Sequence, residues 1–113
     1  RSARHNDTLT FQHARGNDIW LHTRDAPGSH VVIRVNKGQP PSSETLLDAA
    51  ILAAWYSKLR GEAIVDVMWT ERKHVRKPKG APDGLVSVAT SRTIAVRADP
   101  ERLARIAATE LRE

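Results

Sequence analysis

The stretch AAILAAW, residues 49–55, decides the fold. Its seven consecutive apolar residues leave no polar stripe, and a helix without a polar face has to be buried. Four of them are Ala, so a neighbouring backbone can approach closely, as against a sheet. Upstream, Ser42 or Ser43 can accept from a free first-turn N–H, and Glu44 sits at the positive end of the helix dipole. The helix is expected over residues 43–59, stopped by Gly61, which suits a C-terminal cap.

Outward from this helix the pattern turns strand-like. Residues 18–23 alternate Ile19 and Leu21 against Trp20 and His22, which predicts a strand with Ile19 and Leu21 in the core. A turn at 26–29 (APGS) leads to a second, β-branched strand at 30–35 (HVVIRV), forming a hairpin-like pair with the first. Residues 36–43 (NKGQPPSS) are a loop. Residues 63–69 (AIVDVMW) predict a third strand with Asp66 outward, and 85–90 and 93–98 two more around a turn at 91–92. Asn6 or Asp7 is expected to cap a short N-terminal helix through Leu9, Phe11 and Gln12, stopped by Gly16-Asn17. Asp99-Pro100-Glu101 starts the last helix, with Leu103, Ile106, Ala107 and Leu111 on one stripe. The expected fold class is α+β: a mostly antiparallel sheet packed on one buried Ala-rich helix, with short N-terminal and amphipathic C-terminal helices.

The 113 residues suit one domain, residues 1–113, with one core. The absence of Cys excludes a disulfide scaffold, a Cys-ligated zinc site and a thiol nucleophile. No apolar run approaches the ~20 residues of a membrane helix, and no leader peptide is visible. A chain beginning at Arg1 rather than Met is expected to be processed or cut from a longer protein. The net charge of +5 is local: Arg72, Lys73, Arg76, Lys77 and Lys79 against Glu71 put +4 into residues 71–79. Such a cluster suits a polyanion, most often nucleic acid; the plain alternative is a loop kept soluble by charge.

Two constellations are candidates for chemistry. The first is D-x-W-x-H followed by P-G-S-H: Asp18, Trp20, His22, Pro27, Gly28, Ser29 and His30, with Arg24 between them. On an exposed strand face Trp20 would stack a base, with His22 as a hydrogen-bond partner. A metal site from His22, His30 and Asp18 matches no zinc spacing. Ser29 and His30, adjacent in a strand, point to opposite faces and do not form a direct nucleophile–base relay. The plain alternative is that residues 27–29 only make a tight turn. The second constellation is VRKPKGAPDG, residues 75–84, within a long basic loop over 70–84. Pro78, Gly80, Pro82 and Gly84 restrain it, so Lys77, Lys79 and Arg76 are expected to project and neutralise phosphates. Neither a P-loop nor a Rossmann glycine pattern is present.

Together these segments resemble the NFACT-R domain, the RNA-binding module at the C-terminus of the NFACT proteins of ribosome-associated quality control. The resemblance is carried, in order, by RSARHND-x-LTF (1–11), DIWLHTRDAPGSHVVIR (18–34), LLDAAILAAWYSK (46–58) and VRKPKGAPDGLV (75–86). It implies a cytoplasmic, non-catalytic domain without a cofactor, acting in protein biosynthesis. Its partners would be tRNA, large-subunit rRNA, the 50S subunit and other domains of the full-length protein. Full-length members promote template-free C-terminal tailing of stalled chains, with alanine in bacteria. Some were first described as fibronectin- or fibrinogen-binding proteins. The family's strand and Gly before Arg1 are missing, so the resemblance implies an N-terminally trimmed domain; short stand-alone forms also exist. The family-pattern residues here are Asn6, Asp7, Asp18, Trp20, His22, residues 27–30, Lys77, Pro78 and Gly84. The competing classes are a protein-interaction domain for a host matrix protein and a small hydrolase using His22, His30 and Asp18.

Overall fold

The computed structural model describes residues 2–36, 38–97 and 99–110. The order is α1 (Ala3–Thr8), a π-helical turn (Leu9–His13), β1 (Ile19–Thr23), β2 (Val31–Ile33), α2 (Ser43–Trp55), β3 (Val65–Glu71), a 3-10 turn (Arg72–His74), β4 (Val75–Arg76), β5 (Ser87–Val88), β6 (Arg92–Val96) and α3 (Pro100–Glu110). Four strands form an antiparallel sheet in the order β2-β1-β3-β6, and β4 and β5 pair separately. The fold is α+β, as the pattern predicts.

Helix α2 lies on one face of the four-stranded sheet. Ala50 is 0% exposed and Ile51 4%, packed with Ile19 and Leu21 of β1, Val65 and Val67 of β3 and Val96 of β6. Ser42 caps the helix by accepting from the Thr45 N–H at 3.1 Å. Asp66 is exposed, as expected of an outward residue. The Asp99 carboxylate accepts from the Arg102 N–H at 3.1 Å at the start of α3, whose Leu103 packs on the core. Arg102 bridges back to Glu44 and Asp48 at 2.8 and 2.9 Å. Leu111, expected on the α3 stripe, lies outside the described residues, as does Ala98.

Three expectations are corrected. Helix α2 ends at Trp55 rather than near residue 59, because the next backbone groups bond to the turn before β2. The Ser29 N–H donates to the Tyr56 carbonyl and the Lys58 N–H to the Pro27 carbonyl, each at 3.1 Å. The N-terminal helix is capped by Ser2, not by Asn6 or Asp7; Asn6 is inside the helix and buried. The supposed loop over 70–84 is in regular structure as far as Arg76, and only residues 77–84 are loop. Strand β3 continues to Glu71, and β4 pairs with β5 through Val75↔Val88 and Arg76↔Ser87, so the residues near 87 leave the main sheet. Val75 is buried; its N–H donates to the Arg72 carbonyl and its carbonyl accepts from the Arg72 guanidinium at 3.3 Å, so neither group is left unpaired.

Candidate nucleic-acid interface

Strand alternation places Trp20 and His22 opposite the α2 face, as expected, but that face is covered here. Trp20 is 0% exposed, which overturns its reading as a stacking platform. Its ring stacks parallel to His22 at 5.8 Å and meets His30 edge-on at 5.2 Å. His30, 1% exposed, shares a 2.8 Å hydrogen bond between its Nδ1 and the Thr10 hydroxyl, and its N–H donates to the Asn6 side chain at 3.1 Å. The Asn6 side-chain amide donates to the Gly28 carbonyl at 3.3 Å. Asp18 is buried as well: its carboxylate accepts from the Arg15 N–H at 2.8 Å and the Val35 N–H at 3.1 Å, tying the loop before β1 to the end of β2. Asp18, His22 and His30 therefore do not assemble into one reactive group. Arg24 turns toward the start of β6, donating to Thr93 and Ser91 at 2.9 and 3.2 Å.

Burial pushes the His30 imidazole down to about 4, reinforced by neighbouring His22 and opposed by Asp7 and by backbone hydrogen bonds with Gly84 and Asn6. His22 is lowered too, by burial, against backbone hydrogen bonds with Thr23 and Gly28. The unfolded chain protonates His30 near 6.5, the folded chain only near 4. Between those values the unfolded state binds more protons, so stability is full above the upper one and falls as pH drops through the window. Urea denaturation from pH 7.5 to pH 4.5 is expected to show a loss of up to about 3 kcal/mol. A flat profile over that range would mean that His30 is not held neutral.

The basic segment divides into anchors and free cations. Arg72 is an anchor: its guanidinium donates to the Thr10 carbonyl at 2.5 Å and the Val75 carbonyl at 3.3 Å, and lies 4.7 Å from the Phe11 ring. Lys77 is another, paired with Asp7 at 2.9 Å and donating to the Pro82 and Leu85 carbonyls. Burial alone would raise the Asp7 carboxyl, but Lys77 and the Gly84 N–H hold it below the usual carboxylate value. Gly84, with φ of 85°, approaches α1 so closely that an added Cβ would lie 2.9 Å from the Ala3 Cβ. The expectation that most of these charges project holds for Lys73, Arg76 and Lys79, all exposed, and fails for Arg72 and Lys77, which are tied into the fold. Arg76 and Lys79 are exposed, and Lys73 lies 3.4 Å from Glu71.

Residues 26–29, the end of α2, α1 and residues 83–85 surround one open cleft of about 860 Å³. Gly28 is needed there: an added Cβ would stand 2.9 Å from the Ser57 Cβ. Gly28 and buried Ser29 therefore hold the chain where it leaves α2, and Trp55, the last helical residue, and Tyr56, the cap, are 39% and 54% exposed there. Lys58 and Arg60 are exposed beside them, and the Arg60 guanidinium lies 4.5 Å from the Trp55 ring centroid. Leu85 faces the cleft from the hairpin side. The amino-acid pattern does not single out Trp55, Tyr56 and Lys58, because they fall within the helix expected over residues 43–59. Two aromatics followed closely by Lys58 and Arg60 was the available signal.

A family model described as the NFACT protein RNA binding domain matches residues 1–89. The chain is 40% identical over 106 residues to the Rqc2 homolog RqcH of Bacillus subtilis, a match covering 94% of this chain and 18% of that protein. It is 41% identical over 98 residues to the Rqc2 homolog RqcH of Streptococcus suis, covering 87% of this chain and 17% of that one. It thus spans less than a fifth of these curated relatives. Among solved structures it resembles the C-terminal part of the fibronectin/fibrinogen-binding protein of Streptococcus suis, with TM-score 0.85 and 38% identity over 92% of this chain and 41% of that chain.

Proposed function

The chain belongs to the NFACT RNA-binding domain family, and from that premise we propose that it is an RNA-binding module of a ribosome-associated quality control factor. In the full-length protein it would help engage the large ribosomal subunit and tRNA during C-terminal alanine tailing of stalled chains, in the cytoplasm. The observation that carries this reading is the exposure of Arg76 and Lys79 on a hairpin that Lys77 pins to α1 through Asp7. Cations on an anchored hairpin lose little entropy on meeting a phosphate backbone. A binding role rather than catalysis is supported by the burial of Ser29 and His30 and by the commitment of the Asp18 carboxylate to two backbone N–H groups.

The test is binding of labelled tRNA and of 50S subunits to the chain across a salt series. Changing Arg76 and Lys79 together to Ala is expected to leave the melting temperature nearly unchanged, since exposed charges contribute little to stability. It should weaken binding and make the log-affinity versus log-salt slope shallower by about 1.4 to 1.8 for two phosphate contacts. Lys77 is excluded from this variant because its loss would release Asp7 and the hairpin. Unchanged affinity and slope would remove the hairpin from the site. The likeness to the Streptococcus suis fibronectin/fibrinogen-binding protein favours a second reading, a matrix-protein contact. Saturable binding to immobilised fibronectin at physiological salt, with no binding to either RNA ligand, would establish it instead.

A further inference from the structure

We propose that the shelf formed by Trp55, Tyr56, Lys58 and Arg60 is a stacking site for an unpaired base of single-stranded RNA, its cations receiving the flanking phosphates; this rests on the RNA-binding reading above. Trp55 and Tyr56 are two of four large hydrophobic residues exposed among the described residues, and a third, Leu85, lines the opposite wall of the same cleft. Their backbone is held in place. The Gly28–Ser57 bridge, the Ser29-to-Tyr56 bond and the Lys58-to-Pro27 bond fix the segment as it leaves α2. The Ser57 hydroxyl donates to the Ala54 carbonyl at 2.7 Å and accepts from the Leu59 N–H at 3.1 Å. A base would therefore meet aromatic surface that is already ordered, which lowers the entropy lost on binding.

Charge selects the occupant. The charged residues lining the cleft are Lys58, Arg60 and Asp83, and both cations stand on the shelf itself. The Arg60 guanidinium lies over the Trp55 ring as a cation–π contact, and a guanidinium plane is itself a surface on which a base stacks, beside the Tyr56 ring. Aromatic faces joined to cations are the chemistry that holds unstacked bases and their phosphates without reading sequence. Bases in a duplex are stacked on one another and cannot reach such a shelf, so the ligand is an unpaired nucleotide. The hairpin that carries Arg76 and Lys79 also supplies the 83–85 wall of the cleft.

The test compares a fluorescent single-stranded oligoadenylate with a fully paired RNA duplex, both titrated onto the chain. Tyr56→Ala should weaken oligoadenylate binding roughly 5- to 150-fold, with duplex binding and the salt slope unchanged, because stacking releases no counterions. Tyr56→Phe should retain most of the affinity, and thermal melts should show both variants folded. Trp55→Ala should behave like Tyr56→Ala; if it melts early, the Tyr56 pair decides. Unchanged oligoadenylate affinity in Tyr56→Ala, with the Arg76/Lys79 variant still weakened, would overturn the shelf and leave the RNA reading standing. Equal losses on single strand and duplex would also overturn it. A parent chain that binds neither RNA would overturn both, and fibronectin binding lost on Tyr56→Ala would assign the shelf to a protein partner.

Discussion

Trp20→Ala is expected to destabilise the chain by about 3–5 kcal/mol, the usual cost of deleting a buried aromatic ring. That is a large part of the ~5–15 kcal/mol that holds a typical domain together. The indole is 0% exposed and packs against two imidazoles, parallel to one and edge-on to the other. Its removal leaves His22 and His30 facing a void. His30 joins Thr10 of the π-helical turn to the strand region, so loosening it removes one of the ties that hold the N-terminal segment. Urea denaturation at pH 7.5 measures the effect. A variant that melts like the parent yet loses RNA binding would mean that the ring reaches RNA, against its burial. The expected pattern is the reverse: a large fall in stability, and near-parent affinity wherever the variant remains folded.

The contrast between Trp20 and Trp55 shows how far the amino-acid pattern reaches. Period-two alternation correctly separated Ile19 and Leu21 from Trp20 and His22, because strand geometry alone dictates it. It could not say whether the second face is wet, because the cover comes from α1 and the π-helical turn, packed through contacts distant in sequence. The AAILAAW helix was legible for a comparable reason: an all-apolar helix has no alternative to burial. Its end was not, because Trp55 and Tyr56 continue the apolar run while the Tyr56 carbonyl accepts from Ser29 and the Lys58 N–H donates to Pro27. Charge counting located the basic segment, but a count does not distinguish Lys77, which holds Asp7 at 2.9 Å, from exposed Lys79. The P-G-S-H turn looked like a candidate binding element. Gly28 instead acts at one remove, by letting Ser57 come close enough to present its neighbours.

Ile51→Asp is expected to abolish folding. Ile51 lies at the middle of α2 at 4% exposure, within the cluster that joins the helix to β1, β3 and β6. The substitution removes a side chain whose burial contributes about 1.5–3 kcal/mol. It also places a carboxylate inside an apolar cluster made mainly of Ala, Val, Leu and Ile side chains. A buried carboxyl can escape by taking up a proton, but at neutral pH that costs several kcal/mol, added to the lost packing. The sum approaches or exceeds the stability of a domain this size. Far-UV circular dichroism and amide dispersion in a proton–nitrogen NMR spectrum should therefore report an unfolded chain. Ile51→Val is the control: it leaves only a methyl-sized gap, costs about 0.5–1.5 kcal/mol, and should fold. If Ile51→Asp folds and melts near the parent, the helix is not buried against the sheet. The shelf after α2, which depends on that helix for its position, would then lose its support as well.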